Sequence, residues 1–404
     1  MALAAASQLL VPDDILACVL RGLAASRCVC KSWRTVIDDR RLLRADFLPL
    51  SLHGIFFMEQ LNPTPPKFFG SALIQRKIAA KLDYLDTDLF GHLSIKDHCN
   101  GLLLLWDQLV GEVTEVDQAI TEWRGNTSYF GPQRIRPSGK LSTTIFTKES
   151  AWPPSPYAVR VFSSRTWQWE EKLLVRRGEA AGTIADMQSD WQPEHRYTVY
   201  WQGALYVHCQ DDSIMRITLY HGEYEVIKSP TGSKTKRADL YLGKSKKGVY
   251  CALVSNCRSY RLRVWLLTEV CGKMKWGVKI DISLLPVVAK FSWISRVENS
   301  GPWILHEGNC NRDGEKAPVE DKLEWDFDKA TVLEGVDNAE SEYMHGDIYF
   351  LGIHPYKEIA FLWISRTRVV AYHLCSSNVQ DLGELRLQSV GDSFPYTPCW
   401  TGEL

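Results

Sequence analysis

The sequence predicts an α+β multidomain protein: a short helical module at the N-terminus, then a mostly antiparallel β-propeller-like domain of about six blades. A helical stripe of apolar or small residues runs through residues 13–39. From about residue 51, short apolar runs alternate with Gly, Pro, Asn and Asp, which is typical of strands. Fifteen of the 404 residues are tryptophan, a frequent feature of β repeats that use one aromatic residue per unit.

The helical prediction depends on the spacing of the apolar residues. Ile15, Val19, Leu23, Ser26, Cys30, Trp33 and Ile37 follow one another at intervals of three or four residues, which places them on one face of a helix. Pro12 occupies a first-turn position, where proline is tolerated. We expect residues 1–9 to be a flexible N-terminus.

The β prediction depends on two hairpin phrases that recur along the chain. The first phrase is "CNGLLLLW" (99–106), "WQGALYVHC" (201–209), "KKGVYCALV" (246–254) and "YKEIAFLWI" (356–364). The second follows each one, at 157–174, 213–230, 261–280 and 368–385, and its returning strand opens at Trp167, Tyr224, Trp276 or Val379. Gly203 and Gly248 are 45 residues apart, and a four-stranded unit of that length is typical of a propeller blade.

Two stretches depart from this repeat. Residues 107–150 lack a blade pattern, and residues 307–347 carry thirteen acidic and four basic residues. We interpret the acidic stretch as an exposed insertion in a blade. Calcium binding by Asp326 and Asp328 is the alternative, although no EF-hand spacing supports it.

Composition and charge narrow the class of protein. A hydrophobic content of 45% and a charged content of 24% are typical of a soluble globular chain. The net charge of −1 gives no reason to expect binding to nucleic acid or an acidic membrane. The apolar N-terminus lacks the basic region of a signal peptide. Eleven scattered cysteines, none in a Cys-x-x-Cys pair, indicate reduced thiols in the cytoplasm or nucleus.

No motif for catalysis, a metal or a cofactor is found. On a helix, Cys28 and Cys30 are about 200° apart, so we expect them and Cys18 to pack as small apolar residues rather than bind metal. The phrase "PTGSKTKR" (230–237) has Ser233 where a phosphate-binding loop has lysine. We expect His195 and His208 to satisfy backbone groups within strands. The sequence therefore predicts a protein that is not an enzyme, with no cofactor.

Several phrases resemble a known family. "LVPDDIL" (10–16), followed by "CVCKSWR" (28–34), resembles the F-box, and "CNGLLLLW", "FLGIHPYKE" (350–358) and "SFPYTPCW" (393–400) resemble grass F-box proteins. These are plant proteins with a kelch-like, F-box-associated β domain. The resemblance implies a shortened F-box at 10–47 and a propeller-like domain at 51–404. It also implies a substrate receptor of an SCF-type ubiquitin ligase.

The resemblance further implies the partners. An F-box binds a Skp-type adaptor, and through it a cullin and RING ligase, while the β domain binds an unknown target protein. We expect neither nucleic acid nor a membrane as a partner. The candidates for adaptor contact are Pro12, Ile15, Leu16, Val19, Leu20, Leu23, Val29 and Trp33.

One departure from the family leaves an alternative open. An F-box normally has a Leu-Pro-Pro-type turn between its first two helices, whereas Arg21-Gly22-Leu23-Ala24 joins them directly here. Because Gly22 costs a helix only about 1 kcal/mol, the sequence predicts one long helix, which would spread the adaptor contacts apart. The alternative is therefore a propeller-like interaction module that does not recruit a ligase. A propeller enzyme acting on a small molecule is the third hypothesis.

Overall fold

The computed structural model of the chain describes residues 52–59, 67–72, 93–99, 102–107, 128–130, 133–137, 149–163, 168–187, 197–209, 212–231, 240–256, 260–294, 301–306 and 347–397. The predicted F-box at 10–47, its eight adaptor-contact candidates and the N-terminal residues 1–9 lie outside this part of the chain. So do His195, Trp167, most of the irregular segment 107–150, and the acidic stretch 307–347 except Asp347. What the sequence predicts for those residues stays a prediction.

The described residues form mostly strands. In chain order they are β1 (Gly54–Phe57), β2 (Lys67–Ser71), β3 (Leu93–Cys99), β4 (Leu102–Asp107), β5 (Ser128–Phe130), β6 (Gln133–Pro137), β7 (Ala151–Trp152), β8 (Tyr157–Ser163), β9 (Gln168–Arg177), β10 (Gly182–Thr183), β11 (Thr198–Trp201) and β12 (Ala204–His208). They continue with β13 (Ile214–Thr218), β14 (Glu223–Ile227), β15 (Leu240–Ser245), β16 (Gly248–Ser255), β17 (Arg261–Val270), β18 (Lys273–Ser283), β19 (Trp303–His306), β20 (Ile348–Ile353), β21 (Ile359–Ile364), β22 (Arg368–His373), β23 (Val379–Glu384) and β24 (Ser393–Tyr396). Two helices are described, α1 (Ile184–Met187) and α2 (Leu285–Ile294).

The strands assemble into consecutive four-stranded antiparallel units. The orders β11-β12-β13-β14, β15-β16-β17-β18 and β20-β21-β22-β23 follow the chain directly. A further unit, β5-β6-β8-β9, joins the β11–β14 sheet through the parallel pair β9–β14. The pairs β3–β4 and β7–β10 form two small sheets of their own. A chain that builds one antiparallel sheet after another is typical of propellers.

A closing sheet joins the two ends of the β domain. Its order is β19-β2-β1-β24, so the C-terminal strand β24 pairs with the N-terminal strand β1, and Gly54 lies opposite Tyr396. A Cβ at Gly54 would lie 2.4 Å from the carbonyl oxygen of Phe69, which explains why glycine occupies this position. The ring of Phe56 packs against those of Phe68 and Tyr396, with centroids 4.8 and 5.0 Å apart.

Buried apolar residues fill the space between consecutive sheets. Four of the five described clusters join neighbouring four-stranded units: Val161 with Leu205 and Tyr224, Val199 with Tyr206 and Leu242, Val264 with Leu362 and Val370, and Trp363 with Phe69 and Trp303. The fifth, with Cys251 and Trp265, lies within the β15–β18 sheet. The sheets therefore pack face to face in chain order. This is the mostly β, propeller-like arrangement that the sequence predicts.

The recurring phrases form the middle and outer strands of these units. The first phrase gives β4, β12, β16 and β21, and the second gives β8–β9, β13–β14, β17–β18 and β22–β23. In "WQGALYVHC", Gln202 and Gly203 have φ angles of 45° and 80°, as a two-residue hairpin turn requires. Among the described residues, no helix is both long and apolar enough to cross a membrane.

Candidate functional site

A groove of about 260 Å³ lies between the β11–β14 sheet and the β15–β18 sheet. We call it the first groove. One wall comes from the β11–β12 turn and from the faces of β12 and β13, and the other comes from β16, β17 and β18. The side chains that define its chemistry are Trp201, Tyr206, Arg216, Lys247, Glu269 and Met274. The groove therefore combines aromatic, apolar and charged groups.

Strand pairing places the polar side chains of the first wall. Tyr206 lies opposite Arg216 on β12 and β13, and Arg216 lies opposite Glu225 on β14, so all three share one face. Arg216 donates from Nε to the Tyr206 hydroxyl at 3.3 Å and from NH1 to Glu225 Oε1 at 2.9 Å. Burial opposes the charge of Arg216, but these two partners outweigh it and raise its pKa. Arg216 is thus a fixed cation in the wall.

Five lysines lie at the end of the β15–β18 sheet that borders this groove, and one of them, Lys247, lines it. We call them the lysine surface: Lys244, Lys246, Lys247, Lys273 and Lys275, all exposed. Residues 244–248 and 268–275, which form this end of the sheet, contain only one carboxylate, that of Glu269. At the other end of the same sheet, Asp281 pairs with Arg261 and with Arg263. Within this sheet, positive charge is therefore compensated at one end, whereas the lysines at the other end outnumber its single carboxylate.

The lysines differ in their partners. Lys247 forms an ion pair with Glu358, and Lys244 Nζ donates to the carbonyl oxygen of Tyr200 at 3.3 Å. Within the described part of the chain, the ammonium groups of Lys246, Lys273 and Lys275 have no hydrogen bond or ion pair. Ammonium groups without a carboxylate partner are available to an external anion.

Glu358 organises a polar cluster in the seam between the β15–β18 and β20–β23 sheets. It accepts from the Tyr250 hydroxyl at 2.8 Å and from the Cys375 thiol at 2.8 Å, and Lys279 Nζ lies 3.0 Å from its Oε1. Burial opposes the charge on Glu358, but the donors Cys375, Lys247, Tyr250 and Lys279 outweigh it and lower its pKa to about 2. Glu358 is therefore ionised at neutral pH.

A β-bulge brings Lys279 into this cluster. Val264 pairs with Ile280 and Trp265 pairs with Val278, so Lys279 has no partner on β17. An extra residue of this kind redirects a side chain, and here it directs Lys279 toward Glu358.

The chemistry of this cluster is structural rather than nucleophilic. The hydrogen bond to Glu358 raises the pKa of the Cys375 thiol, with burial adding to the effect. A protonated thiol is a weak nucleophile, and a carboxylate bound by four donors is a poor general base. The cluster ties two sheets together beside the lysine surface.

The sequence predicts that His208 bonds a backbone group, and this prediction is wrong. The ring Nε2 lies 3.1 Å from Asp212 Oδ1 rather than on a backbone group, and the side chain is buried. The reason is the turn after β12, in which Asp212 has a φ of 61° and its N–H bonds to the Cys209 carbonyl. This turn folds the carboxylate back onto the ring.

Sequence reasoning missed the role of His354. Its Nδ1 accepts hydrogen bonds from the backbone N–H groups of Tyr356 and Lys357, at 3.1 and 3.2 Å. Burial lowers its pKa to about 3, and Lys357 and His373 contribute to the shift. A neutral ring therefore fixes the turn that presents Glu358. The phrase "HPYKE" (354–358) was the available signal, because a histidine before a proline-containing turn can accept from the N–H groups that follow.

A second groove, of about 520 Å³, lies where the closing sheet meets the β20–β23 sheet. Its charged lining residues are Glu59, Lys67, Arg366 and Arg386. Lys67 pairs with Glu59, Arg386 pairs with Glu384, and Arg366 NH2 lies 3.0 Å from Asp347 Oδ2. Each cation that lines this groove therefore has a carboxylate partner.

All eight adaptor-contact candidates lie outside the described residues, so their role stays a prediction. No group of three or more His, Cys, Asp or Glu side chains in the described part could hold a metal ion. The residues of the first groove and the lysine surface were not singled out from the sequence. The sequence feature that could have indicated the lysine surface is the pair of runs "KSKK" (244–247) and "KMK" (273–275). The β15–β16 turn and the β17–β18 turn place the two runs at the same end of the sheet.

Comparison with known proteins gives little further guidance. No protein family matches the chain, and no curated protein matches it. Among solved structures, the chain is similar to the crystal structure of the N-terminal domain of Nup159. The match has 9% identity and a TM-score of 0.28, and it covers 83% of this chain and 78% of that one. A similarity this low carries no argument, so the fold assignment rests on the sheets described above.

Proposed function

We propose that this protein is the substrate-recognition subunit of an SCF-type ubiquitin ligase, with residues 10–47 as a shortened helical F-box and about six blades in the β domain. In this proposal the F-box binds a Skp-type adaptor and, through it, a cullin and RING ligase. The β domain binds the target protein. The protein performs no chemistry itself; it holds the target near a charged ubiquitin-conjugating enzyme, in the cytoplasm or nucleus.

The observation that carries the binding role of the β domain is the first groove with its lysine surface. Most of the large apolar side chains of the sheets are buried between them, as in any packed domain. At the groove, Trp201 and Arg216 are half-buried and reach solvent, while Tyr206 is buried and accepts a hydrogen bond from Arg216. Trp, Tyr and Arg are the residue types that most often carry binding energy in protein interfaces.

The perturbed carboxylate speaks against the enzyme hypothesis. A propeller enzyme would present carboxylates or metal ligands to a substrate at one mouth of the domain. Against the effect of burial, four donors lower the pKa of Glu358 to about 2, and three of them, Lys247, Tyr250 and Lys279, come from the neighbouring β15–β18 sheet. It therefore supports packing rather than catalysis.

An adaptor pull-down tests the ligase part of the proposal. The wild-type chain should recover a purified Skp-type adaptor, and the Val19→Asp, Leu20→Asp double variant should not, because two carboxylates would replace apolar contacts. Circular dichroism of both proteins is the folding control. Equal recovery by the two proteins would show that these residues do not form the interface.

The direct joint at Arg21–Ala24 favours the alternative, an interaction module that recruits no ligase. In that case the wild-type chain recovers no adaptor. Insertion of Leu-Pro-Pro-Arg after Arg21 should then restore recovery, because it returns the turn between the two helices. An inserted Gly-Ser-Gly-Ser segment of equal length is the matched control.

A further inference from the structure

We propose that the first groove and the lysine surface bind an acidic segment of the target polypeptide, with one bulky apolar side chain of that segment seated in the groove. This inference rests on the proposed function, since it names the class of target that the β domain recognises. It joins two features at the same end of the β15–β18 sheet: lysine side chains without a partner among the described residues, and a small groove lined by aromatic and apolar side chains.

Charge complementarity selects an acidic partner. Lys246, Lys273 and Lys275 are exposed and have no carboxylate within the described residues. Lys244 and Lys247 lie at the same end of the sheet, on β15 and the turn that follows it, whereas Lys273 and Lys275 lie on the opposite edge strand, β18. Among residues 244–248 and 268–275 only Glu269 carries a carboxylate, and Glu358 of the neighbouring sheet compensates Lys247. Several lysines with one carboxylate create a local positive potential, although the whole chain has a net charge of −1.

The geometry of the lysines suits an extended chain. Lys273 and Lys275 are alternate residues of β18, so they project from one face of the strand, and Met274 between them projects from the other face into the first groove. β18 is also the outer strand of its sheet, with one edge left without a pairing strand among those described. Acidic residues at alternate positions of an extended peptide would meet these ammonium groups in register.

The groove favours a polypeptide over a nucleic acid or a lipid surface. Its volume of about 260 Å³ is suited to a single large side chain, and Trp201, Leu267 and Met274 supply apolar contact. The carboxylate of Glu269 and the paired Glu225 also lie in or beside it. A continuous phosphate backbone would meet these carboxylates, whereas an uncharged side chain would not.

Fluorescence anisotropy with the full-length chain tests the proposal. The probe is a labelled peptide in which aspartates and glutamates flank one tryptophan. Two matched probes replace that tryptophan with serine, or the acidic residues with asparagine and glutamine. We expect the first probe to bind, the serine probe to bind several-fold more weakly, and the amide probe not to bind. Binding should weaken as salt concentration rises.

The decisive variant is Lys246→Gln, Lys273→Gln, Lys275→Gln. These side chains have no partner among the described residues, so folding should be retained, and affinity for the acidic probe should fall about tenfold. The matched control, Lys172→Gln, Arg177→Gln, Lys290→Gln, removes the same charge elsewhere and should change affinity less than twofold.

Three outcomes would overturn the proposal. The first is equal affinity in the two triple variants. The second is tighter binding of a single-stranded oligonucleotide or of phosphatidylserine vesicles than of the acidic peptide. The third is aggregation of the lysine variant with unchanged affinity, which would assign the lysines to protection of the β18 edge. None of these measurements uses the adaptor, so their failure is distinct from failure of the ligase proposal.

Discussion

The two grooves of the β domain differ in how their charges are compensated. In the second groove, Lys67, Arg366 and Arg386 each have a carboxylate partner within the fold. In the first groove, the fold compensates Arg216 and Lys247, and at the same end of the sheet Lys246, Lys273 and Lys275 are exposed without a partner among the described residues. A compensated groove is accounted for by folding alone. Charge left uncompensated beside aromatic side chains indicates a surface available to a partner.

Charge is also compensated in the interior next to the second groove. Arg368, which follows the groove residue Thr367, is 4% exposed and forms a two-pronged ion pair with Asp381. Its Nε lies 3.0 Å from Asp381 Oδ1 and its NH2 lies 2.7 Å from Oδ2. Asp381 Oδ1 also accepts from the backbone N–H of Gly383 at 3.1 Å. Charge in this region is thus paired in the interior as well as at the surface.

Removal of Asp381 should therefore give the largest effect on stability. Asp381→Ala leaves the buried Arg368 without its carboxylate, and loss of one partner from a buried ion pair costs about 3–5 kcal/mol. The free energy of unfolding, measured by urea denaturation, should fall by about that amount. Asp347→Ala is the control, because its pair with Arg366 is about half exposed and should contribute less than about 1 kcal/mol. Similar values for the two variants would contradict the contrast.

The comparison also shows how far the sequence could predict the structure. The phrases with Gly203 and Gly248 predicted the strands, because turn residues and alternating apolar positions are local signals. Lys279, placed by a bulge, and Glu358, which meets Lys247 from 111 residues away, could not be predicted. Their association depends on which sheets pack together. The closing sheet could not be predicted for the same reason, since β19 (Trp303–His306) joins strands that are distant from it in sequence.

One of the predicted aromatic positions shows the limit clearly. Trp276 was expected to open a returning strand, and it lies in β18 near the turn. Its Nε1 also donates to the Lys228 carbonyl on the neighbouring sheet at 3.1 Å. Spacing predicted the strand position, but only the packing of two sheets gives the hydrogen-bond partner. For the first groove, likewise, the sequence supplied the lysine runs but not their position beside Trp201.

Acid should lower the free energy of unfolding by weakening the seam between the β15–β18 and β20–β23 sheets. Glu358 has a folded pKa of about 2 against an ordinary value of 4.5, and His354 has one of about 3 against 6.5. Because both pKa values are lowered in the folded state, the unfolded chain binds more protons in acid. Stability should therefore fall as the pH drops below about 6.5 through His354, and further below about 4.5 through Glu358.

Glu358→Gln isolates the second of these contributions. The free energy of unfolding at neutral pH should fall by about 1–2 kcal/mol, after allowance for solvent near the cluster. Its decrease between about pH 4.5 and pH 2 should become shallower than in the wild-type chain. Glu269→Gln, which changes a carboxylate of the first groove that has no ion pair among the described residues, is the matched control. An unchanged pH profile in Glu358→Gln would show that Glu358 does not stabilise the seam.

The smallest effect on stability should come from substitution of one residue of the lysine surface. Lys275→Gln removes an exposed ammonium group that has no partner in the described part of the chain, so the free energy of unfolding should change by less than about 0.5 kcal/mol. Arg386→Gln, in the second groove, removes a paired cation and should cost up to about 1 kcal/mol. Binding of the acidic probe should show the reverse order, with affinity lowered by Lys275→Gln and unchanged by Arg386→Gln. Both quantities can be measured on the same two proteins, by urea denaturation and by fluorescence anisotropy. If Lys275→Gln destabilises the fold more than Arg386→Gln, then Lys275 serves packing, and the contrast between the grooves is wrong at this residue.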